Sequence, residues 1–233
     1  MWFAYTPDRK GEHPRLHLKN FKGALQADAY AGFHHLYDCG DIYEVPCWAH
    51  ARRKFHDIHA MHASPITTGA IARIGALCGI EEDVRGKPAE LRCSTRQARA
   101  RPLLDELRSW LEKSLRSLST KSETAGAIRY ALSYWCALTR YVDDGRLEID
   151  NSAAERALRA VALGRKNYLF CGSNSGGERA AAIYSLIGSA KLNGLAPERY
   201  LRQVLTRIAE HPANRIDELL PWNLAAEDTA APS

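Results

Sequence analysis

Two hydrophobic rhythms divide the chain. Over roughly the first sixty residues, short apolar runs of strand length alternate with helix-spaced ones; from Pro65 to Val142 the spacing is helical throughout. Trp2–Tyr5 reads as a short strand, closed by the turn-forming run Thr6–Pro14. Gly23–Ala27 reads as a second strand, running directly into Asp28. Ala29–Tyr37 then has Tyr30, Phe33, His34 and Tyr37 on one helical face, and Ile42–Cys47 is a third strand leading into a basic helix that opens at Trp48. Strand and helix alternating in this way predict a mixed α/β unit. A strand beginning at residue 2 ordinarily has sheet neighbours, and nothing upstream in this sequence supplies one.

The helical stretch carries two apolar stripes, Leu104, Leu107, Leu111, Leu115 and Leu118, then Tyr130, Tyr134, Ala137 and Tyr141, both expected to pack helix against helix. Arg92, Arg96, Arg99 and Arg101 read as a basic face, solvated or turned toward DNA. The turn Asp143–Gly145 ends the block, and Leu147–Ile149 is a brief extended piece. Helices are then expected from Ser152 to Leu163, from Glu178 to a stop at Asn193-Gly194, and from Pro197 to Ile208. Ala225–Ser233 reads as a frayed tail. The resulting organisation is a first part of a core (1–63), a helical insertion (64–145), the remainder of the core with C-terminal helices (146–222), and a disordered tail (223–233).

Composition changes this picture little. The chain is 45% apolar and 25% charged, with a formal charge of +5 and a pI near 8.9, compatible with a polyanionic partner without requiring one. Its six cysteines are scattered and form no C-x-x-C pair, which fits a reduced, cytoplasmic protein better than a secreted disulfide scaffold. No run approaches the length of a membrane helix.

Two acids stand where chemistry is plausible. Asp28 sits at the end of a strand, where α/β folds present ligand-binding groups; it is equally suited to cap the Tyr30 helix. Glu155 opens a helix, and Ser152-x-x-Glu155 with an i, i+4 partner in Arg159 is also an ordinary capping pattern. Together two carboxylates suit a hard divalent cation, and paired cations activate the attacking oxygen and stabilise the leaving oxygen of a phosphodiester. Cys47 and His50, with His56, His59 and His62, have spacings suggestive of zinc, although His56, His59 and His62 step by three along a helix and read more simply as one exposed stripe.

Several blocks occur in order: Tyr5–Pro14, Leu25-Gln-Ala-Asp-Ala-Tyr-Ala-Gly-Phe33, Cys47-Trp-Ala-His-Ala-Arg-Arg-Lys-Phe55, Asp150-Asn-Ser-Ala-Ala-Glu-Arg-Ala-Leu-Arg159, Leu163–Phe170 and Gly176–Ala182. The series resembles the catalytic region of the insertion-sequence sixty-six family of bacterial transposases, over nearly the whole chain. That resemblance implies a ribonuclease-H-like fold of α/β class, with an incomplete sheet, a large helical insertion and a helical C-terminal part. It implies DDE chemistry, with Asp28 as the second acid, Glu155 as the third, and Mg²⁺ or Mn²⁺ as cofactor. Cys47-x-x-His50 resembles a C-x-x-H feature found after the second acid in several DDE groups. Phosphates of element-end and target DNA would meet Arg52, Arg53 and Lys54, then Arg156, Arg159, Arg165 and Lys166, and the Gly172–Gly177 loop offers backbone amides. The family's first Asp lies upstream of the segment matching Trp2–Tyr5, as do its DNA-binding and zinc-binding regions. This sequence is therefore expected to be a C-terminal fragment with an incomplete metal site, an alternative being an inactive module that binds DNA, itself or a full-length transposase.

Overall fold

Two of the three strands expected at the start of the chain form a sheet. In the computed structural model, which describes every residue except Ala29, Cys39, Tyr168 and 231–233 and the backbone alone of 226–230, β1 (Gly23–Ala27) and β2 (Ile42–Pro46) pair in parallel. Gly23 lies opposite Ile42 and Ala27 opposite Pro46. Among the described residues these two strands are the whole sheet. Their class is the mixed α/β arrangement read from the sequence, weighted heavily toward helix. The chain divides into two units, Lys10–Ser152 and Ala153–Ser233 with Met1–Arg9.

In the first unit, α1 (Glu12–His17) precedes β1, and the connection to β2 holds a 3-10 turn, Ala31–Phe33, followed by α2 (His34–Tyr37). One continuous helix was expected here, its first residue, Ala29, lying outside the described residues. The tighter turn brings residues three apart into eclipse, and Tyr30 and Phe33 use it to meet edge to face, centroids 5.6 Å apart. Then follow α3 (Trp48–Met61), α4 (Pro65–Val84), α5 (Ala89–Thr95), a π-turn (Arg96–Ala100), α6 (Arg101–Arg116), α7 (Glu123–Ser133), α8 (Trp135–Thr139) and a 3-10 turn (Arg140–Val142). Ser64 caps α4 by a capping box with Thr67: the Thr67 N–H donates to Ser64 Oγ at 3.1 Å, and the Ser64 N–H to Thr67 Oγ1 at 3.0 Å.

One hydrophobic core joins the strands to the helices. It contains Val45 of β2, Trp48 and Phe55 of α3, Ile74 and Leu77 of α4, Leu104, Leu107 and Leu111 of α6, Ile128 of α7 and Leu138 of α8. The leucine stripe therefore packs as its period predicts. The tyrosine stripe is broken: the backbone leaves helical geometry at Tyr134 (φ −95°, ψ 10°), turning Trp135 into the core edge to face with Trp48. The Trp48 indole N–H donates to Leu138 O at 2.8 Å, so this large side chain is buried with its polar atom satisfied.

Of the basic face expected along Arg92, Arg96, Arg99 and Arg101, only Arg99 and Arg101 reach the surface. Arg96 is fully buried and grips Glu81 with two hydrogen bonds, Nε to Oε1 at 2.7 Å and Nη2 to Oε2 at 2.6 Å, while Nη1 donates to Tyr141 O. Arg92, also buried, donates to Leu147 O and pairs with Glu148 at 2.8 Å. Arg99 pairs with Asp83, and Arg101 with Asp143. The π-turn displaces the helical register just where Arg96 must turn inward, which period counting from α5 could not anticipate.

Asp143 and Asp144 close this network. Hydrogen bonds from Arg101 and Gln97 hold Asp143 below its ordinary 3.8, and bonds from the Arg146 side chain and N–H hold Asp144 at about 2. Both folded values are depressed, so their stabilisation is complete above about pH 4 and is lost as pH falls through the folded values. Chemical denaturation between pH 7 and pH 2 is expected to show a midpoint that is level above pH 4 with respect to these groups and falls below it. Replacing Asp144 with Asn should flatten that fall; an unchanged profile would contradict the assignment.

In the second unit, α9 (Ser152–Gly164) is followed by α10 (Asn174–Leu192), α11 (Pro197–Arg207), a 3-10 turn (Ala213–Leu219) and α12 (Pro221–Ala230). Its core is Ala190, Tyr200 and Leu224, with Leu186, Leu195, Leu201 and Val204 against them. Three expectations change here. Helix α10 starts at Asn174 rather than near Glu178, because Ser173 caps it by accepting the Gly176 N–H at 3.0 Å. Residues read as a frayed tail form α12 as far as Ala230, anchored by the fully buried Leu224; 231–233 lie outside the described residues. Trp2–Tyr5 joins no sheet. Instead Ser185 and Ser189, four residues apart on α10, bond the backbone of Phe3 and Met1 from one helical face. Glycine makes the approach possible: a Cβ on Gly177 would stand 2.3 Å from the Tyr5 ring.

Candidate functional site

Asp28 directly follows β1 and is exposed. The N-cap of the following 3-10 turn is Tyr30 rather than Asp28. Tyr37, Tyr130 and Tyr134 surround this end of the sheet. Burial first, then Glu44, Tyr134 and Asp28, push the Tyr37 phenol well above its usual range. Burial, Tyr134, Cys47, Glu44 and Asp28 push Tyr130 up to about 12. These phenols stay protonated near neutral pH and remain hydrogen-bond donors. The Tyr37 hydroxyl is buried with no hydrogen-bond partner among the described residues.

The segment Leu147–Asn151 lies against the same strand. Leu147 and Ile149 point into the core, 8% and 2% exposed. The backbone between them is bonded by a side chain: Gln26 Nε2 donates to Glu148 O at 2.5 Å and to Asp150 O at 3.0 Å, and Gln26 Oε1 accepts the Glu148 N–H at 3.2 Å. The Trp48 N–H donates to Ile149 O at 3.0 Å, and the Asn151 N–H to Cys47 Sγ at 3.4 Å. Asp150 Oδ1 then accepts the Ser152 N–H at 2.9 Å, where α9 begins. Glu155 lies in the first turn of α9, half-buried. Asp28 belongs to the first unit and Glu155 to the second.

Cys47 is 1% exposed, and burial pushes its thiol pKa up. The protonated sulfur acts as an acceptor for the Asn151 N–H. Iodoacetamide at pH 8 is therefore expected to label exposed Cys136 and Cys171 quickly and Cys47 only on unfolding; peptide mapping showing Cys47 labelled at a comparable rate would contradict this. His50 is half-buried, His59 bonds Thr67 Oγ1 at 3.0 Å, and His56 and His62 are exposed.

Arg53 and Lys54 are exposed on α3 and Arg52 is half-buried; Lys54 Nζ stands 4.5 Å over the Tyr130 ring. Arg156 and Arg159 on α9, and Arg165 and Lys166 beyond it, are exposed. In the first turn of α10, the Gly176 N–H goes to Ser173 Oγ and the Gly177 N–H to Ser173 O.

Residues 1–179 match the family described as Transposase IS66 family, and residues 185–222 match the IS66 C-terminal element. The chain belongs to the IS66 transposase family. Among similar proteins, the uncharacterized protein y4hP of Sinorhizobium fredii is 41% identical over 234 residues, which cover 93% of this chain and 42% of the relative. The uncharacterized proteins y4qI and y4jD of the same organism are 42% and 36% identical, covering 95% and 97% of this chain and 42% and 46% of those relatives. The chain thus spans less than half the length of these relatives. No solved structure matches it.

Membership supports a role in transposition and, for DDE enzymes generally, the use of a divalent metal and DNA. No helix among the described residues is long and apolar enough to cross a membrane. The carboxylates of Asp28 and Glu155 are the hard oxygen donors such a metal takes. Sequence reasoning missed Gln26. Its one visible signal was a polar side chain in the middle of an otherwise small and apolar strand, two residues before Asp28.

Proposed function

We propose that this chain carries the second and third acids of a DDE transposase site, Asp28 and Glu155, and acts in metal-dependent DNA strand cleavage and strand transfer at insertion-sequence ends. The observation that carries the reading is Asp28: an exposed carboxylate at the carboxyl end of a parallel strand, not the N-cap of the turn that follows, inside a block that belongs to the IS66 transposase match. The ribonuclease-H-like fold is part of the same proposal. The parallel pair β1–β2 followed by helices is compatible with it.

Asp28 and Glu155 would hold Mg²⁺ or Mn²⁺, which when bound activates the attacking oxygen and stabilises the leaving oxygen of a phosphodiester. Exposed Arg53, Lys54, Arg156, Arg159, Arg165 and Lys166, with half-buried Arg52, supply cations for DNA phosphates. Such contacts position the strand without reading its sequence, so binding should weaken steeply with salt.

Strand transfer on element-end DNA with Mn²⁺ tests the proposal. Transfer by this chain that disappears in Asp28→Ala and in Glu155→Ala is the expected result. DNA binding with no transfer above the Asp28→Ala level would overturn the catalytic reading in favour of an assembly module.

A further inference from the structure

The backbone of the segment that leads into α9 is held by one side chain of the Asp28 strand. Gln26 makes three hydrogen bonds to it, at 2.5, 3.0 and 3.2 Å, at a sequence separation of more than 120 residues. Gln26 lies in β1, two residues before Asp28. The amide does what a neighbouring strand would do: it accepts the N–H of Glu148 and donates to the carbonyls of Glu148 and Asp150. Only a side chain with both a carbonyl and an NH₂ group can make this set. Glutamate would bring a charged acceptor against two carbonyl oxygens, and asparagine is one methylene too short.

Further bonds fix the same segment, from the Trp48 N–H to Ile149 O and from the Asn151 N–H to Cys47 Sγ. Asp150 then caps Ser152, and Glu155 follows three residues later in the first turn. The chain therefore enters the Glu155 helix from a point tied to the strand that ends at Asp28.

We propose that Gln26 is a positioning residue for the proposed metal site: its side-chain amide holds the backbone from Glu148 to Asp150, which leads directly into the first turn of the Glu155 helix. The proposal rests on the assignment of Asp28 and Glu155, and extends it to a residue that touches neither metal nor DNA. Supporting groups around metal ligands are generally worth about 10- to 100-fold in metal affinity.

The test measures Mn²⁺ affinity, from the electron-paramagnetic-resonance signal of the free ion, in the whole chain and in Gln26→Glu, Gln26→Asn and Asp28→Ala. The urea midpoint and the hydrogen exchange of the Glu148 amide are followed in parallel. Both Gln26 variants are expected to bind Mn²⁺ about 10- to 100-fold more weakly, with element-end DNA affinity within twofold of the unaltered chain. The Glu148 amide should be protected in the unaltered chain and lose that protection in both variants. A merely structural residue would lower the urea midpoint and leave the Mn²⁺ affinity of the folded fraction unchanged. That outcome, with Asp28→Ala binding no Mn²⁺, overturns the role of Gln26 alone. An Asp28→Ala chain that binds Mn²⁺ as well as the unaltered one, or an unaltered chain that binds none, overturns the acid assignment beneath it. Should neither Gln26 variant fold, a Glu148 amide unprotected in the unaltered chain overturns the proposal, and a protected one supports the anchoring it requires.

Discussion

Asp28→Ala and Glu155→Ala are each expected to lower Mn²⁺-dependent strand transfer by about 1,000-fold or more while leaving the fold intact. The magnitude follows from what the acids do. A metal held at the reacting phosphate contributes several kcal/mol of transition-state stabilisation, and each ~1.4 kcal/mol is a factor of ten in rate. The fold should be indifferent because Asp28 is exposed and is not the N-cap of the turn after β1, and Glu155 lies on a helix that contributes no buried residue. Far-UV circular dichroism and the urea midpoint of both variants should match the unaltered chain. Element-end binding should also persist, since phosphate affinity comes from arginine and lysine. A variant retaining more than a tenth of the transfer rate would remove that acid from the mechanism.

The largest effect on stability is expected at Glu81 and Arg96. Each partner is buried, and Arg96 is bonded through Nε, Nη1 and Nη2 to the Glu81 carboxylate and the Tyr141 carbonyl. Removing one partner leaves an uncompensated charge in the core, at a cost of about 3–5 kcal/mol. Glu81→Ala and Arg96→Ala should therefore each lower the urea-derived stability of the Lys10–Ser152 unit by that amount. Replacing both at once, Glu81→Leu with Arg96→Met, should cost much less, because two desolvated charges leave together. The double change would still lose the bonds from Arg96 to Tyr141 O and Asp144 O, which tie the π-turn to the end of the helical block. Additive costs in the double variant would show that the two charges do not depend on one another.

The same arginine shows where reading the sequence stopped. Strands β1 and β2, the helix from Trp48 and the leucine stripe of α6 were legible because local periodicity reflects the face each element buries. Arg96 was read as surface because charge normally is, and its carboxylate partner lies on a different helix. Trp2–Tyr5 has the composition of a strand, yet the backbone of Phe3 bonds Ser185 and that of the preceding Met1 bonds Ser189, far along the chain. Cys47 gave a spacing that suggested metal or an unassigned motif, while the folded chain uses its sulfur to accept an amide. Gln26 was the hardest to see, for its partners are backbone groups with no residue signature at all. Asp28 and Glu155 were found by the blocks around them, since each fits a helix cap equally well in isolation.

The central proposal is that Asp28 and Glu155 hold one divalent cation. Fe²⁺-directed cleavage tests it without relying on turnover: Fe²⁺ takes the place of Mg²⁺, ascorbate and peroxide generate radicals at the ion, and the backbone breaks beside its ligands. The account predicts cuts at the end of β1 near Asp28 and in the first turn of α9 near Glu155, both suppressed by excess Mg²⁺ and both lost in either alanine variant. Cuts at one acid that persist when the other is removed, or cuts at neither, would contradict it.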